Sequence, residues 1–281
     1  MAAALAAAIS LAQPAAAFWW PFGQDSAEEP VPDPLSYEVT LTVEGGDWRL
    51  DRALRSASAL VARQKSPASG VVGLTARARQ DLASLTAVLY ENARYAGEVF
   101  IAIDGRPLAS IDPFQPIATQ PVPVTITVRA GPTFVFGTVD AAPLPAGVSL
   151  DRLGMRSGRE ARSSVVVRAE TKIVEAWQNQ GHPLATALKR DTVADHRSGT
   201  LDVTLAFDPG PMADFGRVSV EGTQAVDPNL VLGRAGINGG PYSAEKVKRA
   251  TTRLRDLGVF DSVQVVPADH LDPDGTIPIT I

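Results

Sequence analysis

The chain has 281 residues, 45% of them hydrophobic and 20% charged, with a formal net charge of -5. That composition is globular rather than disordered, the length suits two or three domains, and the acidic balance argues against nucleic acid as a partner. No cysteine is present, which excludes disulfides, iron–sulfur clusters and thiol catalysis but leaves the redox compartment open.

Residues 1–17 are uncharged and alanine-dominated, with Leu5, Ile9 and Leu11, and end Pro14-Ala15-Ala16-Ala17. This is the pattern of an export signal cleaved after Ala17, although the basic residue usual near the start is missing. Residues 18–35 are rich in Pro, Asp and Glu and are expected to be a linker. Within them Phe18, Trp19, Trp20 and Phe22 lack the basic flanks of a membrane anchor, and are read as packing on the first folded unit or as unstructured.

The first unit, 36–131, opens with alternation over Tyr37–Val43, which predicts a strand. Asp47–Arg63 predicts a helix with Leu50, Ala53, Leu54, Ala57 and Leu60 inward. A Gly/Pro/Ser break over 66–73 precedes a second helix, Thr75–Glu91, with Ala78, Leu82, Leu85 and Leu89 on one face. Strands follow at Glu98–Ile103 and Val122–Val128. The second unit, 132–209, repeats the order: strand Phe134–Val139, short helix Leu150–Met155, long helix Ser163–Gln180, strands Leu184–Ala194 and Leu201–Phe207. The third, 210–281, has a strand from Phe215 to Val220, a short helix Leu230–Arg234, and a long helix Ser243–Leu257 capped by Ser243. Gly258 is its stop, followed by a strand over Val259–Val266 and a last strand Thr276–Ile281.

The repeat is visible by position. Gly131-Pro132 matches Gly210-Pro211, and Phe136-Gly137-Thr138-Val139 shares a frame with Phe215-Gly216-Arg217-Val218. Gly181 and Gly258 both stop the long helix. In the first unit that place falls at Ala93, where Asn92 is an alternative left-handed residue. Gly137, Gly181, Gly216, Gly258 and Phe260 are therefore expected to be structural marks of the repeat.

Enzyme chemistry has little footing. His182, His196 and His270 lack metal-ligand spacing, and no Gly-x-Ser-x-Gly elbow is present. Gly233-x-x-Gly236-x-x-Gly239-Gly240 is followed by Pro241 rather than a phosphate-binding Lys, and Asp272-Pro273-Asp274-Gly275 is turn chemistry rather than a calcium loop. The basic residues Lys246, Lys248, Arg249, Arg253 and Arg255 are read as a solvated helix face. No catalytic, cofactor or metal residue is expected.

Strand-helix-helix-strand-strand units with Leu-Gly-x-Phe-x-x-Val after the long helix, and Gly-Pro leading into Phe-Gly-x-Val, resemble POTRA domains. Three in tandem behind an export signal are similar to the periplasmic region of the TamA family in the Omp85 superfamily. The resemblance implies an α+β array of three units, each a three-stranded mixed sheet with two helices on one face. It implies a periplasmic place at the outer membrane of a Gram-negative cell, where such factors help insert autotransporters and other outer-membrane proteins. Implied partners are unfolded outer-membrane clients, a TamB-like protein anchored in the inner membrane, and a C-terminal membrane barrel of which no sequence is present here. BamA-like factors, two-partner-secretion transporters and a barrel-less secreted scaffold are the alternatives.

In POTRA domains the strand after the long helix lies at a sheet edge, and an unpaired edge accepts another strand. By that analogy the expected docking residues are Val99, Phe100 and Ile101, then Leu184, Ala185 and Thr186, then Val259, Phe260, Asp261, Ser262, Val263, Gln264 and Val265. The last of these edges is the preferred one.

Overall fold

The computed structural model describes residues 32–223 and 226–281. The expected export segment and aromatic cluster lie outside the described residues. The architecture is mixed α+β, with three larger sheets, each backed by its own buried cluster, and one small two-stranded sheet among the described residues.

In the first unit the elements are β1 (Pro34–Leu35), β2 (Tyr37–Glu44), α1 (Trp48–Ala57), α2 (Ala59–Ala62), β3 (Ala68–Ser69), α3 (Gly70–Glu91), β4 (Glu98–Ile103), β5 (Arg106–Pro107) and β6 (Val122–Arg129). The sheet order is β2-β6-β4-β5, with β2 parallel and β4 antiparallel to the central β6. Alternation on β6 buries Val122, Val124, Ile126 and Val128 against Leu54, Leu74, Leu85 and Leu89. Each such side chain contributes about 1.5–3 kcal/mol relative to exposure.

The single helix expected over Asp47–Arg63 is broken at Ser58, whose extended backbone caps α2 while its Oγ accepts from Val61 N at 3.1 Å. Helix α3 starts at Gly70, earlier than expected, and its buried face takes Asp81 while Leu82 is 38% exposed. Asp81 accepts from Ser58 Oγ and from Ala59 N at 2.7 Å, so a carboxylate sits in the core as the acceptor for the start of α2. The expected linker also ends sooner: β1 pairs with β3, and Leu35 is buried.

The second unit has β7 (Val135–Ala142), α4 (Ser163–Asn179), β8 (Thr186–Asp195) and β9 (Thr200–Asp208), ordered β7-β9-β8. The helix expected at Leu150–Met155 is instead a run of turns. Gly147 and Gly154 take positive φ on either side of a stretch too short to nucleate a helix, yet Met155 is fully buried. Its apolar residues were a true core signal attached to the wrong backbone.

The third unit has β10 (Asp214–Ser219), α5 (Pro228–Ala235), α6 (Ala244–Arg255), β11 (Val266–Pro267) and β12 (Thr276–Thr280), ordered β10-β12-β11. Ala250 and Leu254 of α6 are fully buried, as the three- and four-residue spacing requires. The strand expected over Val259–Val266 survives only as β11. The rest of that segment, Val259–Val265, belongs to no strand, and the ladder with β12 pairs only Val266 with Thr280 and Pro267 with Ile279. Among the described residues no helix is long and apolar enough to cross a membrane.

Candidate functional site

The three expected docking edges differ sharply in the fold. Val99, Phe100 and Ile101 lie on β4, whose outer side is covered by β5 only at Ala102 and Ile103. Alternation buries Ile101 and leaves Phe100 47% exposed. The Arg129 guanidinium lies 5.0 Å above the Phe100 ring while pairing with Glu44 and Glu98 across the outer face. Leu82 of α3, Phe100, Ile101, Pro107 and Leu108 line an apolar groove of about 320 Å³ along this edge. The exposed Leu82, which helical spacing placed in the core, is thus one wall of that groove.

Leu184, Ala185 and Thr186 do not form one edge. Leu184 packs on the third unit's core and Ala185 is buried, so only Thr186 belongs to the exposed strand β8. Charged side chains guard β8: Lys189 pairs with Asp191, and Arg190 makes two hydrogen bonds to Glu170 of α4. A bulge at Leu188 interrupts its register, and bulges and charges both discourage strand addition.

Val259, Phe260, Asp261, Ser262, Val263, Gln264 and Val265 are not a strand, which corrects the preferred docking edge. Val259 is exposed, Val265 is buried, and Phe260 and Val263 turn partly inward to the third core.

The repeat glycines have a physical basis. The parallel register slips between Phe136 and Val139 and again between Phe215 and Val218, so Phe-Gly-x-Val encodes a bulge in the first strand. A Cβ at Gly137 would press on the Asp202 carboxylate and lie 3.2 Å from Thr200 Cβ; at Gly216 it would lie 2.5 Å from Thr276 Oγ1. Ala93, Gly181 and Gly258 have φ of 56°, 98° and 66°. The first unit therefore places Ala93 itself, not Asn92, in the left-handed position; Asn92 has φ -98° and its Nδ2 donates to Val88 O.

Those left-handed residues also build the joints. Phe134 N donates to Ala93 O at 2.8 Å, and Ala213 N donates to Gly181 O at 2.9 Å. Tyr95 stacks on Tyr90, meets Phe134 edge-on, and donates its hydroxyl to Ala161 O. Burial pushes the Tyr95 phenol up to about 12. At the next joint Asn179 Oδ1 accepts from Glu245 N at 2.8 Å and from Ser243 Oγ at 3.2 Å. Ser243 stands at the N-cap as expected but makes no side-chain cap bond; the preceding unit supplies it. Helical spacing carries no trace of such a cross-unit cap.

The three histidines stay apart. His182 meets Trp177 edge-on with Nδ1 2.9 Å from Gly210 O, His196 packs on Phe134, and His270 pairs with Asp269 in solvent. The Asp269 hydrogen bond holds the His270 imidazole above its ordinary value. Among the described residues no cluster of His, Asp and Glu is placed to hold a metal ion.

The POTRA family model, described as surface antigen variable number repeat, matches residues 213–281. A crystal structure of BamA POTRA3-5 from Haemophilus influenzae is similar at 18% identity, covering 90% of this chain and 99% of that one, with a TM-score of 0.59. The N-terminal domain of Omp85 from Thermosynechococcus elongatus matches at 17% identity over 88% of this chain and 96% of that one, with a TM-score of 0.35. POTRA1-3 of Omp85 from Anabaena matches at 14% over 88% and 93%, with a TM-score of 0.37. Comparison with curated proteins finds no match. Residues 213–281 thus match the POTRA family model, and the chain shares the fold of the tandem POTRA domains of BamA POTRA3-5.

Proposed function

We propose that the chain is the periplasmic array of an Omp85-superfamily outer-membrane assembly factor of the TamA type, divided at 36–131, 132–209 and 210–281. In this reading it is a non-catalytic scaffold. It holds unfolded outer-membrane clients and a TamB-like partner, and works beside a membrane barrel. Supporting it are the POTRA match in the third unit and the fold shared with BamA POTRA3-5.

The observation that carries the binding role is the edge of β4. Strand addition draws its affinity from main-chain bonds and its selectivity from pockets for alternate side chains. The Glu98–Ile101 edge offers open main chain beside an apolar groove, whereas β8 is charged and bulged. The docking edge is therefore assigned to the first unit rather than the third.

A photo-crosslinking side chain placed at Phe100 should capture an unfolded outer-membrane barrel protein. The same group at Val193, 62% exposed on β8, serves as the control. Capture at Val193 equal to or above that at Phe100 would sink the assignment.

A further inference from the structure

Helix α3 differs from its counterparts in the other units in what it shows to solvent. Helix α4 exposes Arg168, Lys172 and Glu175, and α6 exposes Lys246, Lys248, Arg249, Arg253 and Arg255. On α3, Arg77 turns back to the carbonyls of Ser66 and Pro67, and Asp81 is buried. Between Val72 and Tyr90 that leaves Arg79 as the one exposed charge. Val72, Ala76, Arg79, Ala83, Ala87 and Tyr90 recur at three- and four-residue steps, so they share one face. All six are exposed among the described residues, Val72 at 53%. A helix this apolar on every side is ordinarily covered on every side.

The chain's own N-terminal part arrives at this helix. Traced back from Leu35, β1 runs beside β3 towards the start of α3: Gly70 N donates to Asp33 O at 2.8 Å and Ser69 Oγ donates to Pro32 O at 3.0 Å. Phe22, the last of the aromatics Phe18, Trp19, Trp20 and Phe22, precedes Pro32 by ten residues. A chain of that length spans up to about 33 Å extended and about 17 Å on average as a coil. Arg79 and Ala83 stand about 14 and 20 Å along the helix axis from Gly70, at ~1.5 Å per residue. Residues 18–33 contain Asp25, Glu28, Glu29 and Asp33 and no basic residue, opposite in sign to Arg79.

We propose that Phe18–Phe22 packs in cis across the outer face of α3, with an indole over the Arg79 guanidinium and the neighbouring rings against Val72, Ala76 and Ala83. Trp is the best ring for a cation, and an arginine set among alanines leaves room for it. The tether favours this contact further, because effective concentration peaks where its average span matches the distance to be bridged. The acidic residues between the rings and Pro32 then lie near the one exposed cation of the helix. Leu82, the wall of the β4 groove, lies to one side of this face, so the contact leaves the β4 edge open. The packing makes α3 a helix covered on all sides, and it does not rest on the docking role of β4.

The chain has no cysteine, so an introduced pair reports proximity without interference. The pair is Gln24→Cys, just past the aromatics, with Gln80→Cys, exposed at the rim of the α3 face. Under mild oxidation it should close a disulfide within one chain about tenfold faster than the same pair carrying Trp19→Ser and Trp20→Ser. A second pair, Gln24→Cys with Glu38→Cys on the exposed start of β2, uses the same tether and should close at the same rate with and without the tryptophans. Equal rates at Gln80 with and without the tryptophans would overturn the proposal. So would an equal acceleration at Glu38, which would mean indiscriminate collapse onto the first unit. A disulfide between two chains, forming faster as protein concentration rises, would overturn it as well, because a second copy's segment would then cover the helix. No client enters the measurement, so its outcome is separate from that at β4.

Discussion

Replacing Asp81 with alanine removes the one fully buried carboxylate in the core of the first unit. The side chain accepts from Ala59 N at 2.7 Å, from Ser58 Oγ, and from Leu60 N at 3.3 Å. The two stronger bonds, both to an ionised acceptor, are worth about 1.5–3 kcal/mol each, and the N–H groups left without a partner cost a further ~1–3 kcal/mol. Against this, truncation relieves a desolvation penalty of several kcal/mol. The difference is a loss of about 2–4 kcal/mol. Asp81→Asn keeps one oxygen acceptor in the same volume and should cost roughly half as much. The assay is urea unfolding followed by hydrogen exchange in peptides spanning β2 and α3, which report the first unit separately from the other two. A loss under about 1 kcal/mol for Asp81→Ala, or an Asn variant as unstable as the Ala variant, would refute the reasoning.

The helix-stop glycine and the bulge glycine are expected to behave differently. A Cβ at Gly258 meets nothing within 4 Å, so Gly258→Ala should cost only the left-handed strain of about 1–2 kcal/mol. Gly216→Val, which drives a side chain into Thr276 and the Ile277 backbone, should cost about 1–3 kcal/mol and move β12 amides in NMR spectra where the former does not. Asn179→Ala should weaken α6 by about 1 kcal/mol, read as faster exchange at Glu245 and Lys246, although the substitution lies in the second unit. His270 should titrate above 6.5 in an NMR pH series and fall back in Asp269→Asn. Its folded value is raised, so the small contribution of this exposed pair is complete below the unfolded value and is lost as pH rises through the folded one.

Much of the architecture is legible in the sequence because most elements are amphipathic over several turns or residues. Ala250 and Leu254 on α6, Val166 and Ile173 on α4, and the alternation of β2 and β6 all point inward as their periods demand. What escapes is what depends on a partner distant in sequence. Leu82 fits the helical stripe of α3, but the position beside it is taken by a carboxylate serving a helix break at Ser58. The Ser58 break had a local signal, a capping residue ahead of Ala59, yet one polar residue does not interrupt a pattern that is apolar on both sides. Leu150–Met155 has helical spacing without helical length.

The docking edge illustrates the same limit. Val259–Val265 carries the strongest strand pattern near its helix stop, and that pattern is silent about whether a neighbour exists to pair with. The short pairing of β5 with β4 and the outward turn of Leu82 set the β4 groove, and neither is a periodic property. By contrast, the Phe-Gly-x-Val motif was visible as a repeat but not as a bulge, since the reason for its glycine lies across the sheet at Asp202 and Thr276.

Amide hydrogen exchange of Glu98–Ile101, measured with and without a synthetic peptide copying one strand of an outer-membrane barrel, addresses strand addition most directly. Docking at β4 predicts that these amides slow by about fivefold or more on saturation, with Thr186–Asp195 unchanged. Protection confined to Thr186–Asp195, or none at Glu98–Ile101 at a peptide concentration that saturates binding, would contradict it.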